Sequence, residues 1–379
     1  DLYVNFGFPD KARALAERAA AGPTTPMSLL SRARLRDSAD TEGQLADLDE
    51  ALRMSPDFGQ ALAWRAQLRA SKGDVEGALS DARAAIEADP RQRDLYLLQA
   101  NIARSNGRKD EALAAASALL ANNPDDGYSH VAAGKIYAAF GMHDEALAQI
   151  DRALAISPEP YIYLNRSDVR DPKDFDSRLA DIEEALRRAP NYVAGYTAKG
   201  RLLSERGDHS AAVEAYDKAL AVEKDSTGLL TMRGIALARQ GDRSRSERDF
   251  AQARQQAKDA ATLNNICYQK AVEGVALERA LEECNESLRL VPDHPPTLDS
   301  RGYALLRLGR LDDAIQDFDL ALRKAPELAP SLFGRAIAWS RKGDAQKAAA
   351  DEQAALRIDP DIAERMSAYG LAVESGKTS

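Results

Sequence analysis

The sequence holds little from which a catalytic or metal centre could be built. Two cysteines and four scattered histidines in 379 residues are too few for a disulfide scaffold or for a zinc site of familiar spacing. There is no Gly-rich phosphate loop followed by Lys-Ser/Thr, no His-Glu-x-x-His and no Gly-x-Ser-x-Gly. No cofactor, metal or catalytic residue is therefore expected. Aromatic residues make up only 6% of the chain, and no apolar run approaches the roughly 18 residues a membrane helix needs. The longest alanine-rich stretch, Ala112 to Ala121, is already interrupted by Ser117. With 51 basic against 60 acidic residues the net charge is −9, and no tract gathers basic residues into a nucleic-acid footprint. An RNA-reading array is disfavoured on that ground.

What the sequence has is alanine, leucine and a ruler. Pro56, Pro90, Pro124 and Pro158 are spaced by 34, Pro190 follows at 32, and Pro292, Pro326 and Pro360 resume the series. Lys224 and Lys258 occupy the two marks without proline. A period in this range signals an array of small supersecondary units. Seventeen residues past seven of the ten marks stands a glycine: Gly73, Gly107, Gly141, Gly207, Gly241, Gly309 and Gly343. Such a glycine ends one helix, and Asp74, Asp208, Asp242 and Asp344 directly after it suit the start of the next. Each unit reads as helix, tight turn, helix. Small residues ten past the mark (Ala66, Gly200, Gly234, Gly302) and twenty-two past it (Ala78, Ala212, Ala280, Ala314) are expected to face one another across the hairpin. Leu62, Leu230, Leu298 and Leu332, with Leu79, Leu113, Leu147 and Ile315, supply apolar stripes that one hairpin alone cannot bury.

These spacings resemble those of tetratricopeptide repeat proteins over about residues 25–362. The likeness is plainest in Leu298, Gly302, Leu305, Gly309, Ala314, Phe318, Ala321 and Pro326. The resemblance implies an all-α, right-handed superhelical solenoid of about ten antiparallel hairpins with a C-terminal capping helix. The expected units are 25–58, 59–92, 93–126, 127–160, 161–192, 193–226, 227–260, 261–294, 295–328 and 329–362, sharing one continuous core. Residues 363–379 are expected to form the capping helix and a polar tail. Residues 1–24, with a lone second helix over Pro9 to Ala21, read as a remnant of an upstream region, because the chain opens at Asp1 without an initiator Met or a leader. The unit ending at Pro190 is two residues short and carries Asp171-Pro172, which predicts a shortened first helix there. Leu263-Asn264-Asn265, Cys267, Cys284 and Leu298 to Gly302 are more loosely similar to repeat arrays that follow transglutaminase-like domains in bacterial envelope proteins.

Comparison of the units with one another isolates a pairing. Arg65 with Asp81, Arg233 with Asp249, Arg301 with Asp317 and Arg335 with Asp351 stand sixteen apart, mirrored about the turn, and read as structural charge-assisted pairs. Asp181 and Glu283 hold the acidic position opposite Ser167 and Cys267, without an arginine. The same mirror places Cys267 opposite Cys284. Either a bridge, pointing to an oxidising and thus periplasmic rather than cytoplasmic setting, or a pair of buried thiols satisfies that geometry. His143 and His209 read as turn residues facing solvent, and His130 takes an apolar-type position.

The resemblance further implies that first helices line a concave groove that takes a peptide or a partner protein. Residues four, seven and eleven past each mark would then face it: Asn101, Tyr128, Lys135, Asn165, Thr197, Arg201, Thr231, Asn265, Gln269, Asp299 and Tyr303. The carboxylate-gripping subclass of the family does not fit, because Leu97 and Ala132 stand where a lysine and an asparagine are needed. The expected function is a protein-interaction scaffold without chemistry of its own. The alternative is the accessory repeat region of an enzyme whose catalytic domain lies upstream of Asp1.

Overall fold

The computed structural model describes residues 24–36 and 40–374; the expected helix over Pro9 to Ala21 and the tail from Ser375 lie outside them. Among the described residues there are twenty-one α-helices and no strand. Between Arg178 and Leu179 the chain divides into two compact units. The division falls in the hairpin that is two residues short.

In the first unit the helices are α1 (Pro26–Leu35), α2 (Thr41–Met54), α3 (Gly59–Ser71), α4 (Val75–Ala88), α5 (Arg93–Ser105), α6 (Lys109–Asn122), α7 (Gly127–Ala138), α8 (His143–Ile156) and α9 (Pro160–Val169). The tenth, α10 (Phe175–Arg188), begins in this unit and ends in the second. The second unit continues with α11 (Val193–Glu205), α12 (His209–Val222), α13 (Thr227–Gln240), α14 (Arg243–Gln256), α15 (Ala260–Glu273) and α16 (Leu277–Leu290). It closes with α17 (Pro295–Arg307), α18 (Leu311–Lys324), α19 (Ala329–Arg341), α20 (Ala345–Ile358) and the short α21 (Ile362–Ser367). Within each unit, successive helices pack as hairpins and each hairpin packs on the next.

The local chemistry of the turn explains the hairpin. Gly73 and Gly241 adopt φ of +80° and +94°, the left-handed conformation that lets the chain leave one helix and enter the next within a few residues. Asp74 then accepts the Gly77 N–H at 3.0 Å and Asp242 accepts that of Arg245 at 3.0 Å, satisfying otherwise orphaned donors. As the sequence suggested, Asp171-Pro172 leaves α9 with 10 residues, against 13 in α3, α5 and α11.

Small residues allow the close approach, but not quite in the expected way. Gly200, Gly234 and Gly302 do not face the alanine set. They receive the rings of Tyr216, Phe250 and Phe318, four residues further along the second helix; a Cβ on Gly234 would stand 2.6 Å from Phe250. A helix needs four residues to return to the same face, so the ring reaches back one turn to fill the notch the glycine leaves.

Candidate functional site

The charges that join helices come first, since they fix which side chains remain free for a partner. In the first unit Arg65 donates from Nε and Nη2 to Asp81 at 2.8 and 2.7 Å, and from Nη1 to Asp49 of the preceding hairpin at 2.7 Å. In the second unit Arg233 joins Asp249 (2.8 Å) to Asp217 (2.6 Å), and Arg335 joins Asp351 (2.7 Å) to Asp319 (2.6 Å). Arg301 holds Asp317 at 2.6 Å and the Asn285 side-chain carbonyl at 2.8 Å. Each guanidinium therefore ties its own second helix to that of the hairpin before it, using the planar fork that lysine lacks. The bidentate carboxylate raises the arginine pKa in all four cases.

Glu283 has a partner that register arithmetic did not supply. Lys270, three residues past Cys267, donates to its Oε1 at 2.6 Å, both side chains being essentially buried, and the ammonium lies 4.3 Å from the centre of the Phe250 ring. Burial pushes Lys270 below and Glu283 above their ordinary pKa values, while mutual attraction opposes both shifts. In the same hairpin Cys267 and Cys284 are bridged, with Cα atoms 5.6 Å apart. His130 is buried against Pro124 O and Gln149 Oε1, at 2.9 and 2.8 Å. His143 is only half-exposed and its Nδ1 meets Val169 O at 2.8 Å, so it is not the solvent-facing turn residue expected.

The residues expected in the groove separate into three groups. Asn101, Tyr128 and Lys135 of the first unit, with Arg201 and Asn265 of the second, are exposed on first helices. Asn165, Thr197 and Gln269 are half-buried, and the first two donate to backbone carbonyls one turn earlier, Tyr161 O at 2.7 Å and Val193 O at 2.8 Å. Thr231, Asp299 and Tyr303 are buried and line no open groove, which corrects the sequence expectation. Thr231 bonds Thr227 O at 2.8 Å. Asp299 accepts the Ser331 hydroxyl at 2.5 Å, and Tyr303 donates to Pro330 O at 2.6 Å while meeting Phe318 edge-on at 5.4 Å. The cause is that α17 packs directly on α15 and α19, closing the space between first helices. Burial pushes the Asp299 carboxyl up to about 7, with the Ser331 hydroxyl opposing the shift.

Tyr128 is the most exposed large apolar side chain of the described residues, at 56%. Its ring stacks on Tyr161 with centroids 5.2 Å apart, and the Arg93 guanidinium lies 4.8 Å from its centre. Arginine and two tyrosines thus form one ladder across α5, α7 and α9. Repeat spacing found Tyr128 but missed Arg93 and Tyr161, which sit three past their marks rather than four. A second row keeps the interval of the repeat: Glu205, Arg239, Glu273, Arg307 and Arg341 follow one another at intervals of 34. Arg239 Nη2 reaches Glu273 Oε2 at 2.6 Å and its carbonyl at 3.0 Å, and Arg341 Nη1 reaches Leu306 O at 3.2 Å.

A family profile agrees with this repeat architecture. A tetratricopeptide repeat profile matches residues 35–93, 97–159, 174–228 and 300–361, well over half of the chain. Among solved structures, the yeast Tom70 protein is similar at 12% identity over 91% of this chain and 94% of its own, with a TM-score of 0.49. A tetratricopeptide repeat protein from Parabacteroides merdae is similar at 16% identity over 64% of this chain and 96% of its own, with a TM-score of 0.44. No curated protein matches the chain. No helix among the described residues is long and apolar enough to cross a membrane.

Proposed function

Because the chain belongs to the tetratricopeptide repeat family, we propose that it is a protein-interaction scaffold whose first helices take an extended peptide segment of a partner protein. The observation that carries this reading is the Arg93–Tyr128–Tyr161 ladder. Large flat side chains of low entropy, half exposed and held in place by one another, are the type that dominates interface energies. Asn101 and Lys135 stand exposed on the same helices and Asn165 stands half-buried, offering donors and acceptors to a peptide backbone. We assign the chain no reaction of its own; its paired charges serve to join hairpins. The Cys267–Cys284 bridge supports work in an oxidising compartment, of which the periplasm is one.

The test is selection from a displayed random-peptide library on the full chain, followed by affinity measurement of the selected peptides. Tyr128→Ala should weaken them by roughly 2 kcal/mol, about thirtyfold, with the melting temperature almost unchanged. Peptides that bind the Tyr128→Ala and Arg93→Ala chains as tightly as the parent would contradict the proposal.

A further inference from the structure

The C-terminal segment of the second unit is bound as a peptide ligand would be. Past α21, Gly370 (φ +69°) closes a turn through Gly370 N–H to Ser367 O at 2.8 Å and Leu371 N–H to Met366 O at 3.1 Å. The six residues that follow Ala368 then alternate. Tyr369, Leu371 and Val373 pack into the core, Leu371 completely, while Gly370, Ala372 and Glu374 face solvent. Tyr369 and Gly370 belong to the turn that ends the helix, and from Leu371 to Glu374 the chain runs on without helix, Leu371 and Val373 facing inward as alternate residues of an extended segment do. This also revises the sequence expectation, since helix α21 spans only Ile362–Ser367.

The segment is also held through its backbone carbonyls. Arg307 Nη2, at the C-terminal end of α17, donates both to Val272 O of α15 at 2.5 Å and to Tyr369 O. Ser340 Oγ of α19 donates to Glu374 O at 2.9 Å. The Tyr369 side chain packs half-buried against the core of the second unit. Three successive first helices therefore contribute, in order, a backbone carbonyl that shares the arginine (α15), the arginine itself (α17) and a hydroxyl donor (α19). Alternate side chains fill slots and main-chain carbonyls take the charged donor, which is the general form of extended-peptide recognition. Where Arg239 bonds the Glu273 carboxylate, Arg307 directs its charge-assisted bonds to these two carbonyls.

We propose that the C-terminal ends of α15, α17 and α19 form a second peptide-binding surface, selective for an aromatic–Gly turn followed by an extended Leu–x–Val segment, with residues 369–374 as its internal occupant. This rests on the scaffold reading, but at a place distinct from the Tyr128 ladder and with a ligand whose chemistry is written in the chain. A tethered occupant competes at high effective concentration, so an outside peptide of the same pattern binds only as far as the segment is released.

The experiment uses the full chain and a labelled peptide of residues 367–374, Ser-Ala-Tyr-Gly-Leu-Ala-Val-Glu. Leu371→Asp with Val373→Asp ejects the segment, since neither slot can hold a carboxylate. The peptide should then bind at least about tenfold tighter than to the parent chain, and Arg307→Ala in that background should abolish the gain. Equal binding by parent and variant, or none by the variant while its helical circular dichroism is intact, overturns the proposal. A second measurement covers a variant that fails to fold. In Arg307→Ala alone, amide exchange at Leu371 to Val373 should rise at least about tenfold while α17 stays protected, and unchanged exchange overturns the proposal. A dimer lost on Leu371→Asp would show the segment passing between two copies, and would also overturn it. The exchange measurement uses no outside ligand, so it succeeds or fails independently of whether the Tyr128 ladder binds a foreign peptide.

Discussion

Asp299 shows how far a single residue can depart from what its position in the repeat suggests. Spacing puts it on the groove-lining face, yet it is buried beneath α19 with one hydroxyl donor, and its carboxyl titrates near 7. Its folded pKa lies above the unfolded value, so the native state binds the proton more tightly between about pH 4 and 7 and stability falls as pH rises through that window. Tyr268 and Tyr303 feel its charge, and burial pushes both above the ordinary tyrosine pKa, so they stay neutral throughout. Asp299→Asn keeps the acceptor for Ser331 and removes the proton. It should flatten the pH dependence of the melting temperature between pH 4 and 8 and stabilise the chain at pH 8 by roughly 2–3 kcal/mol. An undiminished slope in the variant would contradict the assignment. Repeat arithmetic could not have shown this, because position within a unit fixes which way a side chain leaves its helix and not how near the next first helix comes.

At the scale of elements, the hairpin of α15 and α16 concentrates the strongest constraints in the second unit. The buried Lys270–Glu283 pair and the Cys267–Cys284 bridge both join its two helices. Lys270→Met leaves Glu283 buried and uncompensated, which should cost about 3–5 kcal/mol; Lys270→Met with Glu283→Leu should recover most of it, because two apolar side chains pay no desolvation penalty. Chemical denaturation of the three chains decides this, and a double variant as unstable as the single one would contradict it. Reducing the bridge closes no loop in the unfolded chain and should lower stability by about 3 kcal/mol, read as a drop in denaturation midpoint on adding dithiothreitol, with Cys267→Ala/Cys284→Ala insensitive to the reagent. The proline ruler and the turn glycines made the hairpins legible, because each is a backbone requirement that recurs wherever the turn recurs. The arginine–aspartate pairs were legible for the same reason. Lys270 was not, since it replaces an arginine one turn earlier and so breaks the interval that comparison between units relies on.

At the scale of the whole molecule, the family and its all-helical repeat rest on features spread along the entire ruler, whereas the two candidate surfaces rest on a few residues that depart from it. Arg93, Tyr128 and Tyr161 occupy nearly but not quite equivalent places, and Tyr369 to Glu374 lie past the last proline mark altogether. Periodicity reports what every unit must share in order to stack; recognition is carried by what the units do not share. Each surface is accordingly a proposal about particular side chains, while membership of the tetratricopeptide repeat family is not. Amide hydrogen exchange on the full chain, with and without a library-selected peptide, tests the central claim most directly. Protection gained on the first helices α5, α7 and α9, and absent from the second helices paired with them, is the result the scaffold reading predicts; protection confined to second helices or to the turns would contradict it.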